Sequence, residues 1–71
     1  MTDEVHWLIG ENIAGARTEA GLSSKELALK SGISAQRVAD IEAGIVRATA
    51  EELFAVATGL GIKVQDLYRR F

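Results

Sequence analysis

Residues 24–43, SKELALKSGISAQRVADIEA, set a small residue, a glycine and two β-branched apolar residues at the four offsets that a pair of short helices joined by a tight corner demands. Ala28 is small enough for the two helices to approach closely, Gly32 suits a turn that needs positive φ, and Val38 with Ile41 supplies one buried face for the second helix. Each offset alone is weak, and the four in register are restrictive.

The rest of the chain has little room to be anything but a frame for that corner. With 71 residues it is expected to form a single domain spanning 1–71. A chain of this size buries only about 60% of its unfolded surface, so oligomerisation is a natural way to add stability. There is no proline, alanine, leucine and glutamate abound, and nothing alternates as a strand would, which predicts an all-α fold. Cysteine is absent, which removes disulfides and thiolate metal sites. No stretch approaches the ~18 apolar residues of a membrane span. The opening MTDEVHW is acidic where a secretion signal is basic, so a cytoplasmic protein with no membrane partner is expected.

Glycines and cap residues divide the sequence into five helical segments with short joints. The first is expected over about 3–20, with Thr2 as N-cap, Gly21 past its end, and Val5, Ile9, Ile13, Ala16 and Ala20 as its apolar stripe. Ser23 with Glu26 forms a capping box that opens the second, which stops at Gly32. Ser34 caps the third, Gly44 closes it, and Val38, Ile41 and Glu42 face inward. Thr49 with Glu52 is a second capping box, opening a fourth helix that buries Leu53, Val56, Ala57 and Leu60 before Gly61. The fifth is expected over about 64–70, with Val64, Leu67, Tyr68 and Phe71 on one face.

A helix-turn-helix at about 24–43 points to double-stranded DNA as the partner. Laid in the major groove, the third helix presents its N-terminal turn to base edges, through Ala35, Gln36, Arg37 and Asp40. Gln36 suits adenine, Arg37 can fork onto guanine, Ala35 can meet a thymine methyl group, and Asp40 either accepts from cytosine N4 or repels phosphate. The formal charge of −2 stands against a broad basic surface, since proteins that grip phosphates often have a pI above about 9. The grip must therefore be weak or local.

The chain resembles the lambda-repressor-like helix-turn-helix family of Cro-like repressors, restriction-modification controller proteins and many antitoxins. The likeness spans residues 9–67 and rests on IGENIAGAR followed by GLS, on the helix-turn-helix, on IEAG at its end, and on LFAVATGLGIKVQDL. It implies a compact five-helix domain and a transcriptional regulator of prokaryotic or phage type. It also implies a structural ion pair between Arg17 and Glu42, joining the first and third helices. Where relatives carry a phosphate-binding glutamine at the start of the second helix, this chain has Ser24, and where they carry polar residues after the third helix it has Ile45 and Val46. Lys25, Ser34 and Arg47, with Ser24, are the candidate phosphate contacts.

One or two base contacts worth about 1 to 3 kcal/mol each cannot single out a site in a genome, so a homodimer on a short palindromic operator is expected, with half-sites about 34 Å apart. Tyr68 and Phe71 widen the fifth helix's apolar face and are the candidate dimer contacts. Trp7 lies roughly 160° around the first helix from Ile9, at an edge of the core or in an interface. Arg69 and Arg70 either are solvated or pair with carboxylates of a neighbour. The alternative is a protein-interaction module or antitoxin-like partner of the same fold, in which Ile45 and Val46 meet another protein. An enzyme is not indicated, because His6 is the only histidine and no paired carboxylate or phosphate loop accompanies it. No metal, cofactor or small-molecule substrate is expected.

Overall fold

The computed structural model describes residues 2–68, with side chains from Trp7 onward. Four α-helices, α1 (Thr2–Glu19), α2 (Ser24–Ser31), α3 (Ala35–Ala43) and α4 (Ala50–Leu60), lead to a 3-10 turn at Val64–Tyr68. There is no strand among the described residues.

The helix ends are set locally, by side chains that satisfy amides the helix itself cannot. The Ser23 hydroxyl accepts from the Glu26 amide at 3.1 Å while the Glu26 carboxylate accepts from the Ser23 amide at 2.7 Å, and Thr49 and Glu52 repeat the arrangement at the start of α4. Ser34 caps α3 through the Arg37 amide at 3.0 Å. Gly32 and Gly44, at φ of 74° and 75°, turn the chain out of α2 and α3 in the left-handed region that a side chain would strain. Thr2 is the first residue of α1 and not its cap, and Ala20 falls beyond the helix and is exposed.

Helix α2 packs against α4 and α3, and α1 against α3, with the 3-10 turn closing the open end over α1 and α4. The core between them holds Ile9, Ile13, Leu27, Ala28, Val38, Ile41, Leu53, Val56, Ala57 and Leu67. Leu60 is only half-buried, at the edge of this cluster. Gly10 brings α1 onto the end of α3, where a Cβ would collide with the Ile41 carbonyl oxygen and come within 2.7 Å of that of Glu42. Trp7 lies over Gly44, where an added Cβ would stand 3.0 Å from the Trp7 Cα, and it stays 51% exposed. The indole thus covers the end of α3 at the rim of the core.

The C-terminal element departs from the fifth α-helix expected over about 64–70. The Asp66 amide bonds back to the Lys63 carbonyl at 2.9 Å, three residues away, and the Leu67 carbonyl is taken by the buried Asn12 side chain at 2.6 Å. That bond and the full burial of Leu67 anchor the turn to α1. Phe71, with Arg69 and Arg70, lies outside the described residues.

Candidate nucleic-acid interface

Helix α3 carries the candidate base readers, and its sequence gives it two unlike faces. Val38 and Ile41 are buried, whereas Gln36, Ala39 and Ala43 are exposed and Ala35 and Asp40 are half-buried. Gln36 donates its amide to Asp40 at 2.9 Å one turn later, so two of the four candidate base readers form a preset pair that presents mainly acceptors. Ala35 packs partly on the core at the start of α3.

Arg37, the fourth candidate, is engaged elsewhere. Its Nε donates to Glu52 at 2.7 Å and its Nη2 to the other carboxylate oxygen at 2.9 Å, a fork that ties α3 to the first turn of α4. The same Nη2 reaches the Arg47 carbonyl at 3.3 Å. Arg37 thereby holds its guanidinium above the ordinary value. The paired guanidinium, with the Thr49 amide, pulls the Glu52 carboxyl down to about 2. Forking onto guanine requires Arg37 to release Glu52.

Arg17 and Glu42 form a second forked pair, at 2.7 and 3.1 Å, and Arg17 also donates to the Leu22 carbonyl at 2.9 Å. The pair is mostly buried between α1 and α3, and the bond from Glu42 raises the Arg17 guanidinium above its usual range. It ties the last turn of α3 to α1.

The phosphate candidates sit around this helix. An open groove between α2 and the start of α3 is lined by Lys25, Ala28, Leu29, Ile33, Ser34 and Ala35, so Lys25, Ser34 and Ala35 share one surface. Ser24 is the first residue of α2, beside the capping Ser23, and is half-buried. The Ser34 hydroxyl accepts a bond as cap and keeps its own proton to donate. Lys25 and Arg47 are exposed, and neither is in an ion pair among the described residues. Leu29 went unnoticed in the sequence, yet it lines the same groove at 84% exposure; a leucine on the outer side of an eight-residue helix was the available signal.

The apolar pair after α3 is split. Ile45 is 71% exposed, but Val46 turns inward to close a gap lined by Ile9, Ile41, Ala48 and Leu53, because the loop needs one apolar side chain to seal the core there. Tyr68 is exposed at the C-terminal turn. Among the described residues no three histidines, cysteines or carboxylates gather as a metal site, and no helix is long and apolar enough to cross a membrane.

Comparison with known proteins places this geometry. The profile of the helix-turn-helix family matches residues 13–67. The uncharacterised HTH-type transcriptional regulator y4dJ of Sinorhizobium fredii (strain NBRC 101917 / NGR234) is 35% identical over 60 residues, covering 84% of this chain and 78% of that protein. The restriction-modification controller protein C.AhdI from Aeromonas hydrophila superposes with a TM-score of 0.86 at 29% identity, over 87% of this chain and 94% of its own. The clp gene regulator ClgR from Corynebacterium glutamicum gives 0.85 at 27% identity, over 89% of this chain and 67% of its own.

Proposed function

Because the chain belongs to the helix-turn-helix family, as an XRE-like member homologous to an HTH-type transcriptional regulator, we propose that it regulates transcription as a homodimer bound to a short palindromic operator. The observation that carries this reading is α3 itself. It is capped at both ends, buried on one face through Val38 and Ile41, and open on the other, where Gln36 and Asp40 stand paired.

In this reading the open face enters the major groove. The Gln36–Asp40 pair meets exocyclic amino groups of adenine or cytosine, and Ala35 meets a thymine methyl group. Ser24, Lys25, Ser34 and Arg47 hold the phosphates on either side, a short set that suits a chain with a formal charge of −2. Two copies supply the missing contacts through the C-terminal face, where Tyr68 is exposed and Phe71 follows, with half-sites about 34 Å apart. The regulator works in the cytoplasm without cofactor or catalysis.

Fluorescence anisotropy of the chain on DNA from upstream of its own gene and on scrambled DNA, at low and near-physiological salt, tests the reading. Selective binding whose log affinity falls by about 0.9 per phosphate contact with log salt supports it. No binding to either DNA at low salt overturns it in favour of a protein-interaction module meeting its partner through Ile45. Sedimentation equilibrium of the wild type and of Tyr68→Ala combined with Phe71→Ala tests the dimer, and an unchanged mass removes those two residues from the interface.

A further inference from the structure

Three donors converge on one carboxylate. Glu52 accepts Nε and Nη2 of Arg37 at 2.7 and 2.9 Å and the Thr49 amide at 2.9 Å, so both its oxygens are used and its first turn of α4 is locked to α3. The loop between them is 44–49. It is held at its start by the Ile45 amide on the Asp40 carbonyl, along its course by Val46 on the core, and at its end by Thr49. At its middle, Nη2 of Arg37 donates to the Arg47 carbonyl at 3.3 Å.

We propose that Arg37 is a positioning residue: through Glu52 and the Arg47 carbonyl it fixes the loop so that the Arg47 side chain is held ready for a phosphate, and it leaves base reading to Gln36, Asp40 and Ala35. The proposal rests on the DNA-binding reading above and assigns Arg37 a different task within it. Its ground is the difference between two competing bonds. Both contacts are bidentate and charge-assisted on the arginine side, but only the Glu52 fork sets a full negative charge against the guanidinium, whereas guanine O6 and N7 are neutral acceptors. Leaving Glu52 for guanine would also strand a carboxylate, 19% exposed, beside the DNA backbone. With the fork closed, the outward positions of α3 among the described residues are Ala35, Gln36, Ala39, Asp40 and Ala43, none of them a cation. The loop, ordered before DNA arrives, then loses less freedom on binding.

Glu52→Gln separates the two tasks. Glutamine keeps the capping box with Thr49 but drops the charge that holds Arg37, which leaves the guanidinium free to reach the groove. If Arg37 positions Arg47, E52Q lowers affinity roughly fivefold on operator and scrambled DNA alike and reduces the salt slope by about 0.9, and adds nothing in an Arg47→Ala background. Unchanged or tighter binding by E52Q overturns the proposal, as does a loss confined to the operator. If the wild type binds no DNA, the function proposed above fails while this one is still decided on the free chain: backbone relaxation of Arg47 and Ala48 should fall from about 0.85 in order parameter toward 0.6 in E52Q, and unchanged order overturns it. Where E52Q melts, Arg37→Lys serves instead, because it keeps the charge and loses the fork; the same uniform loss is expected, and an operator-only loss refutes the role.

Discussion

Asn12 of α1 donates its side-chain amide to the carbonyl of Leu67, 55 residues further along the chain, at 2.6 Å. The bond lies in the core, where the carbonyl would otherwise be stripped of water and unpaired. It ties the last described turn to the first helix. Asn12→Ala should therefore cost about 1 to 3 kcal/mol, the usual penalty for orphaning a buried polar group, and should do so by loosening the C-terminal turn first. Amide exchange of residues 64–68 measured beside urea unfolding checks both halves; a loss of stability with the turn still protected would assign the effect to packing alone.

Gly10 makes a sign reversal testable. In an exposed helix, glycine to alanine gains up to about 1 kcal/mol. Here the new Cβ would meet two backbone oxygens of α3, Ile41 and Glu42, which can move only if the helix does. Gly10→Ala is expected to destabilise by about 1 to 3 kcal/mol, read from the urea midpoint. A gain would mean that α1 and α3 lie further apart than the structure has them.

Acid should find the α3–α4 fork. Glu52 titrates at about 2 in the folded chain against an ordinary 4.5, so the unfolded chain binds the proton more readily in between. The stabilisation is complete above 4.5 and is lost as pH falls toward 2. The unfolding free energy of the wild type should exceed that of E52Q by ~2 kcal/mol near neutrality, with the gap closing across that window. Parallel curves down to pH 2 would show that the carboxylate gains nothing from folding.

The Arg17–Glu42 pair should be costly to break from one side and cheap to remove whole. Glu42→Leu strands a guanidinium between α1 and α3, although Arg17 keeps its bond to the Leu22 carbonyl, and about 2 to 4 kcal/mol should be lost. Arg17→Met combined with Glu42→Leu should recover much of that in thermal melts. Additive losses would mean the two charges do not depend on each other.

What sequence could deliver was the local part. The cap of α3 and both capping boxes act within three residues, and the glycines after α2, α3 and α4 have the left-handed backbone that their placement implied. The Arg17–Glu42 contact was reached through family likeness, since no spacing along one helix relates residues 25 apart. The same limit hid the Arg37–Glu52 fork: an arginine in the first turn of α3 and a glutamate in a capping box each had a sufficient local explanation, and neither revealed that a tight loop folds one onto the other. The apolar spacing of Val64, Leu67 and Tyr68 fits one face of an α-helix as well as a 3-10 turn, and the bond that ties this turn to a side chain 55 residues upstream lies beyond any local pattern. Val46 likewise turned inward because of a gap that exists only once α1, α3 and α4 have met.

The indole resting on Gly44 gives the molecule a built-in optical reporter. Trp7 is the only tryptophan in the chain, half in water and half against the end of α3, so its emission colour and its quenching by iodide depend on how that helix is seated. Folding can be followed on the unlabelled wild-type chain at concentrations far below those needed for calorimetry, and so can any proposed event that reseats α3.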